Sequence, residues 1–249
     1  MKKLIVSLSF LISLSAFSQN ITDAQGLKQG QWKKLYPNGQ IMYEGTFKDD
    51  QPIGEMTRYY ENGIIRSKQI FTPNSDISTA EHYNTEGNLF SKGTYKGQLR
   101  EGEWQYFAND VKVMTEQFKD GKKNGVSKEF TTTGGVIDET NWTNDVRTGV
   151  RKRFFDDGKI YTEMTYDAAG ILNGEAKMYF ENTALATRGT YKDGKKEGKF
   201  EFFNPDGTPD FSFEARAGVI TGQFFPDERQ RQMLVDFEQQ IEGITSNQE

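Results

Sequence analysis

The feature that most constrains this chain is a period. With Gly30 as position zero, the segment Gly30-Gln-Trp32-Lys-Lys-Leu35-Tyr36-Pro-Asn-Gly39 restarts at Gly54, Ser78, Gly102, Gly125, Gly149, Gly174 and Gly198. The steps are 24, 24, 24, 23, 24, 25 and 24 residues. Periods of this size mark tandem supersecondary units, each too small to bury an apolar face alone and therefore stacked on its neighbours.

Three columns inside the unit keep one chemistry. Five residues after each start stand Leu35, Tyr59, Tyr83, Phe107, Phe130, Phe154, Tyr179 and Phe203. Eleven after stand Ile41, Ile65, Leu89, Val113, Val136, Ile160 and Leu185. Near seventeen come Phe47, Phe71, Tyr95, Phe118, Trp142, Tyr166 and Tyr191, with Phe118 one residue early in the 23-residue unit. The eighth unit keeps the first column and then drifts, with Phe211 and Phe213 instead of the expected residues.

Two turns separate the columns. Pro37-Asn38-Gly39, Glu61-Asn62-Gly63, Asp156-Asp157-Gly158 and Pro205-Asp206-Gly207 mark the first; Asp120-Gly121 and Asp193-Gly194 mark the second. Asn-Gly and Asp-Gly between apolar runs signal tight hairpins, because these residues accept the positive φ such turns require. Each unit therefore reads strand, turn, strand, turn, with strands of about six to eight residues. No unit has room for a helix. A composition of 35% hydrophobic and 13% aromatic residues with 25 glycines fits many short strands carrying few but large apolar groups. The three columns are expected to be buried between hairpins.

The ends read differently. Lys2 and Lys3 precede an apolar run from Leu4 to Phe17, and Ala16-Phe17-Ser18 supplies a small-residue cleavage pattern. Residues 1–18 are read as a Sec-type signal peptide, implying export to the periplasm or beyond. With no cysteine, neither a disulfide nor a lipid-modified cysteine is expected. Residues 19–29 form a lead-in, and 30–225 the repeat domain. Beyond Pro226, Met233, Leu234, Phe237, Ile241 and Ile244 recur at helical spacing, Asp227 and Glu228 occupy the first turn, and Gly243 lies near the end. An amphipathic helix over 227–242, within the segment 226–249, is expected to cap the last sheet edge.

The segments Gly30-Gln-Trp32…Tyr36-Pro-Asn-Gly39 and Gly189-Thr-Tyr191-Lys-Asp-Gly194-Lys-Lys-Glu-Gly198 resemble the MORN repeat. They are closest to the long-spaced variant found in YwqK-family antitoxins. The resemblance covers roughly residues 23–225. It implies an all-β fold, an elongated, twisted antiparallel meander of about eight two-stranded hairpins, and a role in binding with no catalytic residue to carry over. The leading expectation is an exported, non-enzymatic protein-interaction scaffold. An immunity or antitoxin protein is the alternative.

Other motifs have plainer readings. Gly189 to Lys196 nearly spells a phosphate loop, but lacks the hydroxyl residue and the following helix. His82, the one histidine, has no second histidine or cysteine for a zinc site. The Asp-Gly turns are too short for a calcium loop. No cofactor, metal or catalytic site is expected. Removing Lys2 and Lys3 leaves 29 basic and 36 acidic side chains, a mature charge of −7, which disfavours nucleic acid. After cleavage no integral membrane segment is expected. The expected partner is a protein, with a basic toxin allowed by the charge. Because partner contacts fall on irregular large groups in variable columns, Trp32, Tyr36, Tyr60, Trp104, Tyr106 and Phe155 are the candidate binding residues.

Overall fold

The computed structural model describes residues 19–242, so the leader and the helix-end residues Gly243 and Ile244 lie outside the described part. The chain divides after Ser75 into two units. The first contains β1 (Ile21–Thr22), β2 (Lys28–Leu35), β3 (Ile41–Lys48), β4 (Gln51–Tyr59) and β5 (Ile65–Phe71). Each strand pairs antiparallel with the next.

The second unit runs through β6 (Ile77–Tyr83), β7 (Leu89–Lys96), β8 (Leu99–Ala108), β9 (Val111–Lys119), β10 (Lys122–Lys123), β11 (Gly125–Phe130) and β12 (Val136–Thr143). It continues with β13 (Val146–Arg147), β14 (Gly149–Phe154), β15 (Ile160–Tyr166), β16 (Leu172–Tyr179), β17 (Leu185–Lys192), β18 (Lys195–Phe203), β19 (Pro209–Arg216) and β20 (Val219–Thr221). These also form an antiparallel meander in chain order. The helix α1 (Glu228–Glu242) follows. The expected all-β hairpin repeat with one C-terminal helix is therefore the observed fold. No helix among the described residues is long and apolar enough to cross a membrane.

The turns form as the residues dictate. In the first turn the Tyr36 N–H donates to Gln40 O at 2.8 Å and the Gly39 N–H to Tyr36 O at 3.0 Å, with Gly39 at φ 83°. The Asn38 carboxamide oxygen accepts from the Gln40 N–H at 3.0 Å. In the second turn both central residues have positive φ, as at Asp49 (51°) and Asp50 (63°), the geometry that matches strand twist. These turns also tie units together. Asp50 N–H donates to Lys28 O, Gly121 N–H to Arg100 O, Asp145 N–H to Lys123 O and Gly218 N–H to Lys196 O, at 2.9 to 3.2 Å. The backbone two residues before these starts is thus held by the next turn.

The 23-residue unit loses its residue from the first turn. Ala108 pairs with Val111 across the two-residue turn Asn109-Asp110, so Phe118 faces Gly102 as Phe47 faces Gly30. Lys112, not Val113, then faces Phe107. In the eighth unit Phe213 pairs with Phe200 and Phe211 with Phe202, so these rings fill ordinary rows opposite the first strand.

Alternation along each strand defines two faces. One carries cross-strand ion pairs such as Lys33–Glu44 (3.3 Å) and Lys128–Glu139 (2.7 Å). The other carries the rings near seventeen and at position two. Its central row in the second unit runs, strand by strand, through Ala80, Gly93, Trp104, Glu116, Ser127, Thr140, Arg151, Met164, Ala176, Gly189, Phe200 and Phe213.

The burial of the columns corrects the sequence reading. Of the column near seventeen, Phe47, Phe118, Tyr166 and Tyr191 are buried. The columns at five and eleven are only half-buried, and Leu35 is exposed. The core instead draws on position two, where Met56, Ala80, Trp104, Ala176 and Phe200 are buried, and on small polar residues at thirteen, Ser67, Ser91, Asp138, Thr162 and Thr187. Glycines at fifteen, Gly45, Gly93 and Gly189, leave the space that Met56, Trp104 and Phe200 at position two occupy.

The helix corrects a second expectation. Asp227 caps it, its carboxylate accepting from the Gln230 N–H at 2.8 Å while Gln230 Oε1 accepts from the Asp227 N–H at 3.2 Å. Phe237, 2% exposed, packs on Phe200 and Phe202, with Met233, Leu234 and Ile241 beside it. The helix therefore lies on the ring face of the last repeats, because the rings offer more apolar area than an edge strand. The edge strand β20 stays exposed, including Val219 and Ile220.

Candidate functional site

The residues two before each start are Lys28, Pro52, Asp76, Arg100, Lys123, Arg147, Leu172 and Lys196, five of them basic. Pro52, Arg100, Lys123, Arg147, Leu172 and Lys196 each pair across strands with a ring from the column near seventeen, as in Tyr95–Arg100, Phe118–Lys123 and Trp142–Arg147. The cations lie over those rings or their neighbours: Arg100 4.8 Å from Trp104 and 5.1 Å from Phe118, Lys123 4.7 Å from Trp142, Arg147 5.1 Å from Tyr166. In the first unit Lys28 sits 4.9 Å from Phe47. Contacts of this kind contribute about 0.5–2 kcal/mol, more as water is excluded.

In β9 to β14 the central row turns polar. Glu116, placed in a glycine or aromatic row by the shortened turn, is 4% exposed. It pairs with Lys123 Nζ at 2.5 Å and accepts from the Tyr106 hydroxyl at 2.6 Å. Burial, and then this carboxylate, hold the Tyr106 phenol above the usual tyrosine range. Arg151 donates from Nη2 and Nε to Asp138 Oδ2 at 2.6 and 2.9 Å, and Thr140 donates to Asp138 Oδ1 at 2.8 Å.

Four donors of this strip are out of solvent without a hydrogen-bond partner: Ser127 Oγ, Trp142 Nε1, Arg147 Nε and Arg151 Nη1. Each such group costs about 1–3 kcal/mol relative to a satisfied one. Arg100 and Arg147 have no carboxylate partner among the described residues. The strip is therefore rich in rings and donors, with cations in excess.

The six residues singled out from the sequence fall in different places. Trp32 is half-buried, donates from Nε1 to Ile21 O at 3.0 Å and lies under Lys28. Tyr36 donates its hydroxyl to Tyr59 O at 2.8 Å and so ties one first turn to the next. Tyr60 is half-buried beside Arg66. Trp104 is 0% exposed and offers a partner no surface. Tyr106 is half-buried in the Glu116 network, and Phe155 is half-buried against Tyr161 at 4.8 Å. Of the six, only Tyr106 belongs to the polar strip. Of the residues missed, Arg100, Lys123, Trp142, Arg147 and Arg151, the cations Arg100, Lys123 and Arg147 had a signal in the sequence, the recurrence of Lys or Arg two residues before a start.

The remaining motifs do turn and packing work. His82 stacks on Trp104 at 5.8 Å, and its ring nitrogen lies 3.3 Å from the Tyr95 hydroxyl. Gly189 to Lys196 is the end of β17, a two-residue turn and the start of β18. Asp157 accepts from the Lys159 N–H at 3.0 Å, and the Lys159 ammonium holds its carboxyl below the usual range.

Comparison with known proteins places the repeat. The MORN repeat variant matches residues 28–49, 52–72 and 147–168, which are the hairpins β2–β3 and β4–β5 and the segment β13–β15. No curated protein matches the chain. Among solved structures the chain is similar to a mutant of S. aureus TarM in complex with fondaparinux, alpha-GlcNAc-glycerol and UDP, and to TarM itself. Both are 14% identical, with a TM-score of 0.23 over 53% of this chain. The chain spans about a fifth of their lengths, 21% and 20%. The MORN repeat variant is thus recognised on three of the segments, and the same strand–turn–strand unit recurs along β2 to β19.

Proposed function

We propose that this protein is an exported, non-enzymatic scaffold that binds a protein partner on the ring face of its repeats. The observation that carries the reading is the strip from β9 to β14. There the half-buried Trp142, unpaired donors and cations stand together, beside a stretch of the same face that α1 already covers. MORN repeats support a binding role, and the apolar run from Leu4 to Phe17 supports export.

The test is capture from the native envelope fraction with the chain from residue 19 onward, wild type beside the Trp142→Ala/Arg147→Glu variant. Polypeptides retained by the wild type and lost by an equally folded variant support the reading. Identical sets from both would refute it.

A further inference from the structure

The helix α1 shows what this face accepts. It sets Phe237 on Phe200 and Phe202, pairs Glu238 with Lys196 from the basic column, and places Gln240 Oε1 2.7 Å from Arg153 Nη1. The acceptor-bearing, acidic half of an amphipathic helix thus meets rings in the central rows and a cation two residues before a repeat start. Earlier repeats present the same pattern, and among the described residues α1 is the one helix and is not set on it. Arg100, Lys123 and Arg147 continue the column of Lys196, and Phe118, Trp142 and Tyr166 continue its rings.

Charge points the same way. From β8 to β14 this face holds five cations, Arg100, Lys123, Arg147, Arg151 and Arg153, the last already bonded to Gln240 of α1, against the three carboxylates Glu116, Glu129 and Asp138, on a mature chain of net −7. Glu116 and Asp138 are already engaged by Lys123 and Arg151. The unpaired Trp142 Nε1, Arg147 Nε and Arg151 Nη1 are all donors, so what relieves them must bring acceptor oxygens.

We infer that the ring face over β8 to β14 docks an acidic amphipathic polypeptide segment, in the manner in which the face over β15 to β19 holds α1. This rests on the binding role proposed above and gives it a partner chemistry. It reverses the basic partner that net charge alone allows, because the local excess on the face is cationic.

The test is fluorescence anisotropy with the chain from residue 19 onward and a labelled synthetic peptide of residues 226–242. A second version carries Gln at Asp236, Glu238 and Glu242. The acidic peptide is expected to bind, to weaken with added salt as exposed charges are screened, and to bind Arg100→Glu/Arg147→Glu roughly ten-fold or more weakly. Neither arginine has a carboxylate to lose, but each loses ring contacts, so circular dichroism first checks that the variant is folded, and Arg147→Gln repeats the measurement with a milder change. Lys196→Glu, beneath α1, is expected to leave binding unchanged.

Equal binding of the two peptides, or none, overturns the proposal. So does loss on Lys196→Glu alone, which would mean exchange with α1. Tighter binding of a single-stranded oligonucleotide than of the acidic peptide would mark a general anion surface and also overturn it. If these fail while envelope capture still depends on Trp142 and Arg147, the binding reading stands and only the acidic partner falls.

Discussion

Replacing Gly189 by alanine should unfold the second unit's packing more than any surface change. A Cβ built there would lie 2.1 Å from Phe200 Cε1 and 2.2 Å from its Cδ1. Ordinary carbon contacts are about 3.5–4.0 Å, so the ring must retreat by about 1.5 Å. It has no room to do so. Phe200 is 0% exposed, stacked on Phe213 at 5.2 Å, edge-on to Tyr191 at 5.6 Å and under Phe237 at 6.4 Å. Overpacking costs typically about 1–3 kcal/mol, and a ring confined on three sides places this case near 3 kcal/mol. For a body of this size that lowers Tm by roughly 6–12 °C.

Gly45→Ala is the control. Its nearest neighbour is Met56 Cγ at 3.2 Å, on an unbranched side chain, so the expected cost is below about 1 kcal/mol. Scanning calorimetry measures both, and Gly189→Ala/Phe200→Ala should be less destabilised than the sum of the single changes. A Gly189→Ala protein as stable as wild type would refute the claim that this glycine exists to admit the ring.

Three further outcomes follow from particular sites. Thr183 stands at φ 70° where other first turns have glycine, as Gly207 at 83°, so Thr183→Gly should stabilise by about 1 kcal/mol in urea unfolding; a loss of stability would contradict it. Phe237→Ala should cost about 3–5 kcal/mol and speed hydrogen exchange in α1 and on β18, and unchanged exchange there would count against the packed position of the helix. Burial, and then a neighbouring carboxylate, push the phenols of Tyr59, Tyr83 and Tyr179 up to about 12. Their folded values exceed the unfolded one, near 10, so this contribution is fully present below about pH 10 and is lost as pH rises toward 12. Ring resonances of these three residues, followed singly by NMR, that titrate already near pH 10 would show those hydroxyls to be free.

The period, both turns, the antiparallel strands and the helix were legible from residues such as Asn38-Gly39, Asp193-Gly194 and Asp227. Each is a local matter: a positive φ needs Gly, Asn or Asp wherever the chain folds, and a cap needs its acceptor next to the free N–H groups. The candidate site was far less legible. Tyr106 was singled out and belongs to it, but Trp104 was singled out and is wholly buried. Alternation says which side chains share a face, and does not say how much of each face becomes covered.

That part was decided only in three dimensions. One residue missing from the turn at Asn109-Asp110 moved Glu116 into the central row, because each strand takes its register from the turn before it. Gly93 and Gly189 acquired their purpose from rings on the next strand, at Trp104 and Phe200. The helix went to the face rather than the edge because Phe200, Phe202 and Phe213 had been gathered there from two strands. Sequence alone determined a hairpin repeated at a fixed interval, since turns and strand periodicity are written within a few neighbouring residues. Which columns are buried, and where cations meet rings, depends on partners that the fold brings together from separate repeats.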